Sequence, residues 1–299
     1  MNAPRSTRTE INGWVVLDKP TGMTSTHAVA RLKRLFNAKK AGHAGTLDPL
    51  ATGILPVAFG EATKTVPFVQ DGEKTYRFTI AWGAQTDSDD VDGKITERSD
   101  LRPEGAAICA ALPQFTGTIQ QRPPSFSAIK VAGERAYDLA RDGAPPDLEP
   151  RAVTIHSLDL VAAEPDHAHF EARCGKGTYV RAVARDLGLA LGCYGHVSAL
   201  RRTRVGPFCE SDAVTLAQLT EALPPDALLR VEAGLTEIPQ IAVDRESAAR
   251  LRRGQPILLR GRDTPMDGAA FASCGGVVVA VGAIEHGELI PGRVFNLPF

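Results

Sequence analysis

The most constrained stretch of the sequence covers residues 42–57: Gly42-His43-Ala44-Gly45-Thr46-Leu47-Asp48-Pro49-Leu50-Ala51-Thr52-Gly53-Ile54-Leu55-Pro56-Val57. Its glycines permit backbone angles that other residues avoid, and its prolines rule out a continuous helix. The carboxylate of Asp48 is therefore held in one orientation. Two interpretations stay open at this point. An aspartate before a proline commonly caps a turn, whereas a rigidly oriented carboxylate also suits catalysis.

The segments around this stretch predict a mixture of strands and helices. Residues 11–17 have the apolar character of a buried strand, and Ser25 can cap a helix whose apolar residues follow helical spacing as far as Phe36. Residues 76–82 alternate large apolar side chains with polar or small ones, which indicates a half-buried strand. Residues 179–191 show the spacing of an amphipathic helix.

Residues 122–151 differ from the rest because prolines mark both ends. Pro123 and Pro124 stand at the start, and Pro145, Pro146 and Pro150 stand near the end, with a helical pattern over 134–141 between them. A segment of this length and composition indicates an excursion from the main body rather than a part of its core.

The pattern changes again near residue 238. Beyond it the sequence predicts one basic helix, 247–253, and short strands at 257–259, 277–284 and 293–297, separated by glycines. We therefore expect a small β-rich domain over residues 239–299, following a larger domain over residues 1–238.

The formal net charge of the 299 residues is only −1, but the charges are grouped. An acidic loop contains Asp87, Asp89, Asp90 and Asp92. The cations form three groups: Arg31, Lys33, Arg34, Lys39 and Lys40; Arg201, Arg202 and Arg204; and Arg250, Arg252, Arg253, Arg260 and Arg262. Grouped cations suit a phosphate-binding surface, although solvated helix and turn faces show the same pattern.

Several classes of protein are excluded by what the sequence lacks. No apolar run approaches the roughly 20 residues of a membrane span, so we expect a cytoplasmic protein. The five cysteines form no C-x-x-C pair and the seven histidines are dispersed, which argues against a metal site. Gly175 and Gly177 form a G-x-G without the third glycine or the lysine of nucleotide-binding loops.

The stretch around Asp48, continued through Phe59-Gly60-Glu61-Ala62-Thr63-Lys64, resembles the signature of the bacterial TruB family, the tRNA pseudouridine-55 synthases. Further segments resemble motifs of that family in the same order along the chain: Leu17-Asp18-Lys19-Pro20-Thr21-Gly22-Met23-Thr24-Ser25, Lys74-Thr75-Tyr76, Pro123-Pro124-Ser125-Phe126-Ser127-Ala128-Ile129-Lys130, Arg135-Ala136-Tyr137, Gly175-Lys176-Gly177-Thr178-Tyr179-Val180-Arg181 and Leu200-Arg201-Arg202-Thr203. The resemblance covers residues 13–208 with highly specific motifs and is loose beyond them.

The resemblance implies an α+β pseudouridine synthase fold, in which helices flank a mixed, mainly antiparallel sheet within residues 1–238. It implies that residues 122–151 clasp RNA and that residues 239–299 form a PUA-like RNA-binding domain. It also implies catalytic roles for Asp48, Tyr76 and Arg181, and substrate contacts by His43, Tyr76, Tyr179, Leu200, Lys64 and Lys130.

The implied roles follow family chemistry. Asp48 is the nucleophile, attacking either C6 of the base or C1′ of the ribose. Burial would raise the pKa of its carboxyl group, so a cation must accompany it, and Arg181 is the expected partner. Tyr76 stacks on the target base and is a candidate for handling the C5 proton, and His43 contacts the flipped nucleotide. Without the resemblance, the two tyrosines and Leu200 would be assigned to core packing.

The implied reaction isomerises a uridine in the T stem-loop of tRNA without a cofactor or a metal. We expect a monomer with no obligate protein partner. Two alternatives differ in class: a non-catalytic tRNA-binding or tRNA-folding protein, and a related synthase that modifies ribosomal RNA within a guide-RNA particle. The intact set of Asp48, Tyr76 and Arg181 argues against the first, and the compact length argues against the second.

Overall fold

A computed structural model describes residues 8–131, 133–144, 146–221, 225–259 and 267–298. Its strands are β1 (Gly13–Lys19), β2 (Ala41–His43), β3 (Thr52–Phe59), β4 (Lys74–Trp82), β5 (Ala84–Thr86), β6 (Ile95–Arg98), β7 (Gly117–Gln121), β8 (Lys130–Val131), β9 (Glu134–Arg135), β10 (Arg151–Ala163), β11 (His167–Cys174), β12 (Gly195–Val205), β13 (Phe208–Cys209), β14 (Val214–Thr215), β15 (Gln240–Ala242), β16 (Ile257–Leu258), β17 (Gly268–Cys274), β18 (Val277–Glu285) and β19 (Glu288–Val294). Its α-helices are α1 (Ser25–Leu35), α2 (Val66–Asp71), α3 (Gly105–Ala111), α4 (Ala136–Arg141), α5 (Val180–Ala190), α6 (Leu216–Glu221) and α7 (Arg245–Arg252).

The larger sheet has the strand order β14-β1-β3-β12-β4-β11-β10-β7, with β2 beside β3 and β13 beside β12. Among the described pairs, β1 with β14 and β3 with β12 are parallel, and the other pairs of this sheet are antiparallel. The predicted α+β class, with a mixed and mainly antiparallel sheet flanked by helices, is confirmed.

Both faces of this sheet are buried at the β1 end. Because side chains alternate along a strand, β1 contributes residues to two different cores. Val15 and Leu17 point into one core, which α1, α3 and α5 cover. Trp14 and Val16 point into a second core, where α2 and the C-terminal sheet pack. In the described ranges no helix has the length and apolar character needed to cross a membrane.

Helix α1 begins one residue earlier than a Ser25 cap would require. The cap is Thr24, whose side chain accepts a hydrogen bond from the backbone N–H of His27 at 3.1 Å. Ser25 is the first helical residue, so the predicted capping role of Ser25 is wrong. Its hydroxyl group instead bonds to the segment that carries Asp48.

The C-terminal sheet has the order β15-β17-β18-β19-β16 and encloses a small core with α7. The strand predicted at 277–284 is present as β18, whereas β17 was not predicted. The strand predicted at 293–297 is wrong, because β19 ends at Val294. The fully buried side chain of Phe295 lies in the core that the C-terminal sheet shares with Trp14 of the larger sheet.

Residues 122–151, called the clasp below, leave the larger sheet after β7 and return to it at β10. The two ends lie side by side, because Gln121 pairs with Arg151 across these strands. The described part of the clasp contains the hairpin β8–β9 and the short helix α4. The chain therefore makes a closed excursion from one sheet edge.

The core around Phe295 predicts how strongly the two sheets depend on one another. Replacing Phe295 with alanine removes a fully buried ring and should lower the free energy of unfolding by about 3–5 kcal/mol. Urea and thermal unfolding of the purified variant measure this loss. Leu258→Ala is the matched control, because Leu258 is 59% exposed and its truncation should change stability by less than about 0.5 kcal/mol. Equal effects of the two changes would contradict the assignment of Phe295 to a shared core.

Candidate active site

The loop between β2 and β3, residues 44–51, carries Asp48 and is called the aspartate loop below. Gly45 has a φ of 97°, in the left-handed region that side chains disfavour. At the end of the loop, a Cβ atom on Gly53 would lie 2.2 Å from the carbonyl oxygen of Arg202. Glycine is required there because β3 and β12 run parallel and in contact at this point. These constraints fix the loop against the sheet.

Arg202 of β12 fixes the aspartate loop through hydrogen bonds to backbone carbonyl groups. Its side chain is buried, and its guanidinium group donates to three backbone carbonyl groups: Ile54 at 2.8 Å, Gly45 at 3.0 Å and Thr46 at 3.2 Å. The prediction that the group from Arg201 to Arg204 binds phosphates is therefore wrong for Arg202. Arg201 is also engaged, since it forms a two-pronged ion pair with Asp18.

Two further side chains fasten the same loop. The hydroxyl group of Ser25 donates to the carbonyl group of Leu47 at 2.9 Å and accepts from its N–H at 2.8 Å. The buried Nζ of Lys19 donates to the carbonyl group of Pro49 in this loop at 3.4 Å, and to those of Pro20 and Met23, each at 2.8 Å. Burial lowers the pKa of Lys19 to about 8, and the nearby carboxylate of Asp48 opposes that shift.

Asp48 of the aspartate loop forms an ion pair with Arg181 of α5. The Nε of Arg181 lies 2.9 Å from Oδ2 of Asp48, whose side chain is 35% exposed, whereas that of Arg181 is 4% exposed. Arg181 also lies 3.5 Å from the carboxylate of Asp90 and donates to the carbonyl groups of Ser88 and Phe126, both at 2.8 Å. The cation that the sequence pairs with Asp48 is thus adjacent to it and is fixed from several sides.

A cavity of about 260 Å³ lies beside this ion pair. It brings together four of the predicted site residues with Arg181, because its lining includes Asp48, Tyr76, Tyr179 and Leu200. The clasp contributes to the lining through residues 127–128. Burial raises the pKa of both tyrosine hydroxyl groups, so both stay protonated at neutral pH. The cavity therefore offers a carboxylate, two phenol groups and apolar walls.

Three predicted substrate contacts lie outside the cavity lining. His43 lies in β2 with its Nδ1 buried and without a hydrogen-bond partner among the described residues, and burial lowers the pKa of its ring. Lys130 is exposed in strand β8 of the clasp. Lys64 pairs with Glu61 at 2.7 Å and donates to the carbonyl group of Val294 at 2.8 Å. The structure thus places Lys64 at the junction with the C-terminal sheet, and not beside Asp48.

The acidic loop, residues 87–92, has a role that the sequence did not predict. Asp89 and Asp90 are buried, and each faces an arginine of α5: Asp89 lies 3.0 Å from Arg185, and Asp90 lies 3.5 Å from Arg181. The spacing of the two arginines by one helical turn was a signal for this arrangement, because residues i and i+4 share a helix face. Neighbouring acids and arginines at helical spacing indicate buried pairs.

The remaining cation groups are distributed over separate elements. Arg31, Arg34 and Lys40 are exposed on or near α1, and Lys39 pairs with Glu10 at 2.7 Å. Arg250 and Arg252 belong to helix α7, which packs on the C-terminal sheet. Arg260 and Arg262 lie outside the described residues. Among the residues that the structure describes, no group of three or more His, Cys, Asp or Glu side chains is arranged to hold a metal ion.

Comparisons with known proteins agree on one family. Residues 33–180 match the model of the TruB family pseudouridylate synthase N-terminal domain, and residues 181–231 match that of the tRNA pseudouridylate synthase B C-terminal domain. The tRNA pseudouridine synthase B of Bradyrhizobium diazoefficiens is 59% identical, over 99% of this chain and 89% of its own. The enzyme of the same name from Rhodopseudomonas palustris is 59% identical, over 98% of this chain and 83% of its own.

Solved structures extend the similarity to the whole fold. A Cbf5-Nop10-Gar1 complex contains a chain with a TM-score of 0.71 and 25% identity, covering 95% of this chain and 84% of that one. A chain of an H/ACA RNP bound to a substrate RNA containing 2′-deoxyuridine has a TM-score of 0.74 and 23% identity, covering 96% of this chain and 85% of that one. The second likeness concerns the fold alone.

The buried carboxyl group of Asp89 makes stability depend on pH. Burial raises its pKa from 3.8 to about 6 despite the nearby arginines, so folding favours the uncharged form. The resulting stabilisation is complete below about pH 4 and is lost as the pH rises through about 6. The free energy of unfolding of the wild type, minus that of Asp89→Asn, should therefore fall between pH 4 and 6. Urea unfolding across this range measures the difference, with the exposed Asp159→Asn as control; a difference independent of pH would contradict the shift.

Proposed function

Since the chain belongs to the TruB family of pseudouridylate synthases, we propose that it isomerises uridine to pseudouridine in tRNA, at position 55 of the T loop. The observation that carries the proposal is the pairing of Asp48 with the buried Arg181 at the mouth of a nucleotide-sized cavity. The near relatives carry the name of a tRNA enzyme and align over almost the whole chain, so a non-catalytic tRNA-binding protein is not favoured.

The reaction breaks the N1–C1′ bond of a uridine, turns the base and joins its C5 to C1′. The proton leaves C5 and a proton is gained at N1, so there is no redox change and no net hydrolysis. Asp48 is the proposed nucleophile, because a carboxylate can form a covalent intermediate at C6 or at C1′. The Nε of Arg181 lies 2.9 Å from Oδ2 of Asp48 and orients the carboxylate toward the cavity.

A uridine within a stacked loop reaches Asp48 only after it leaves the stack, at a cost of a few kcal/mol. The cavity supports such a flipped nucleotide, because Tyr76 offers an aromatic face and Leu200 an apolar wall near the carboxylate. Tyr179 lines the same space and has its backbone fixed by the side chain of Gln121. His43 approaches from β2 and is the proposed occupant of the space that the flipped base vacates.

The clasp is the proposed second contact with the RNA. Residues 127–128 already line the cavity, and the exposed Lys130 extends the same segment toward a phosphate backbone. We propose that the protein acts in the cytoplasm as a monomer; the relatives are named tRNA pseudouridine synthase B, and a tRNA substrate suits that location. A similar fold occurs in an H/ACA RNP bound to a substrate RNA, but a tRNA substrate fits the relatives of higher identity.

Asp48→Asn tests the nucleophile. The amide has the same shape and still accepts a hydrogen bond from Arg181, but it does not attack a carbon atom. Release of tritium from an unmodified tRNA labelled at C5 of uridine should fall by more than about a thousandfold, while the Kd for tRNA in gel shifts stays within about threefold. Asp159→Asn, at an exposed site in β10, should retain wild-type release.

Each arm of this experiment has an outcome that contradicts the proposal. A wild type that releases no tritium from any unmodified tRNA overturns the activity. Release by Asp48→Asn at the wild-type rate overturns the nucleophile while leaving the activity in place.

Tyr76→Phe separates stacking from proton handling. The variant keeps the aromatic ring but lacks the hydroxyl group, whose raised pKa makes it a hydrogen-bond donor at neutral pH. If this group handles the C5 proton, tritium release should slow by about a hundredfold or more, and tRNA binding should not change. Tyr194→Phe, outside the cavity lining, is the matched control. Unchanged release by Tyr76→Phe would restrict Tyr76 to stacking.

A further inference from the structure

Arg185 is a nearly buried arginine that the proposed chemistry does not use. It lies one helical turn after Arg181 on α5, its side chain is 13% exposed, and it does not line the cavity. Its three nitrogens have different partners: Nη1 lies 3.0 Å from Asp89, Nε lies 2.8 Å from Asp186, and Nη2 donates to the carbonyl oxygen of Arg122 at 2.8 Å. Taking a charged guanidinium group out of water is costly, and these three polar partners offset that cost.

The partner carbonyl belongs to the root of the clasp. Arg122 follows directly after β7, whose last residue, Gln121, is bonded through its side chain to both backbone groups of Tyr179. The side chain of Arg122 pairs with Asp147 near the other end of the clasp. The position of Arg122 therefore sets the direction in which the clasp leaves the body and the contact that closes its two ends.

The other partner, Asp89, is fixed to the body. Its φ of 61° is unusual for a residue with a side chain. Its backbone N–H donates to Thr86 at 3.2 Å, and its carbonyl group accepts from Val197 of β12 at 3.0 Å. Arg185 thus connects a rigid point of the sheet with the first residue of the clasp.

Arg181 makes the corresponding connection one turn earlier. It joins Asp90 of the acidic loop to the carbonyl group of Phe126 in the clasp, and the next two clasp residues line the cavity. The two arginines differ in one respect: Arg181 pairs with Asp48, whereas the polar partners of Arg185 described above, Asp89, Asp186 and Arg122, are not proposed catalytic residues.

We propose that Arg185 is a positioning residue that fixes the root of the clasp and thereby sets the affinity for tRNA, without affecting the rate of the chemical step. The inference rests on the proposed function for its substrate. The physical reason is pre-organisation: a clasp held at its root loses less conformational freedom when RNA binds. Lysine does not replace arginine here, because one ammonium group does not span three partners in a plane.

The test compares Arg185→Lys with the wild type in the full-length protein. With unmodified tRNA labelled at C5, KM should rise by about tenfold, equivalent to 1.4 kcal/mol, and kcat should stay within about twofold. Asp89→Asn removes the ion pair between Arg185 and Asp89 by changing the other partner. It should shift KM in the same direction. Arg77→Lys is the matched control, because Arg77 is 62% exposed and pairs with Glu171 on the open face of the sheet. It should leave both constants unchanged.

Limited proteolysis gives a readout that does not depend on activity. Trypsin sites at Lys130 and Arg141 lie within the clasp. Cleavage there should be about tenfold faster in Arg185→Lys than in the wild type, while the rest of the chain is cleaved at the same rate. Addition of tRNA should slow trypsin cleavage within the clasp in both proteins.

The outcomes distinguish the inference from the proposed function. A fall in kcat at unchanged KM would overturn the inference, as would wild-type values of KM and of clasp cleavage in both Arg185→Lys and Asp89→Asn. If Arg185→Lys does not fold, Asp89→Asn alone decides, since asparagine keeps the shape of the side chain. A wild type without tritium release overturns the proposed function, and clasp cleavage then still tests the role of Arg185.

Discussion

The structure around the cavity depends on one buried cation. The guanidinium group of Arg181 is 4% exposed, and such a group is tolerated only when charges and hydrogen bonds replace its water. Asp48, Asp90 and the carbonyl groups of Ser88 and Phe126 supply them. These partners come from the aspartate loop, the acidic loop and the clasp, three segments far apart in the sequence. Satisfying one arginine therefore brings all three segments to the N-terminal end of α5.

The aspartate loop is held in a second way, from the side of the sheet. Arg202 binds the carbonyl groups of Gly45 and Thr46 together with that of Ile54, and Ser25 binds both backbone groups of Leu47. Because the backbone before Asp48 is fixed by side chains from β12 and α1, the carboxylate has little freedom apart from its own torsions. The proposed role of Asp48 as nucleophile needs this rigidity, since small displacements of reacting groups are costly in rate.

Much of this arrangement was predictable from sequence, and the failures have a common cause. Apolar runs and strand alternation located β1 and β4 of the larger sheet but not its central strands β3 and β12. The family resemblance identified the loop around Asp48 and its partner Arg181. Sequence patterns do not report burial, however. Arg202 was grouped with surface cations although it is 1% exposed, and the acids at 89 and 90 were assigned to a loop although both are buried. In a chain with a net charge of −1, several cations serve internal pairs, so runs of basic residues overstate the surface available to RNA. Lys64 illustrates the same limit, because only the structure shows its contacts at the C-terminal junction.

Helix α5 connects the acidic loop with the clasp, because two of its arginines, one turn apart, contact both segments. Arg181 contacts the carboxylate of the proposed nucleophile, and Arg185 contacts the residue at which the clasp begins. A helix is stiff over one turn, since its backbone hydrogen bonds join residues four apart. The root of the clasp and the nucleophile are therefore held in one frame, and the cavity lies between them. Under the proposed function, RNA that engages the clasp is brought into register with Asp48, so the geometry that the proposed reaction needs is in place before the base is flipped.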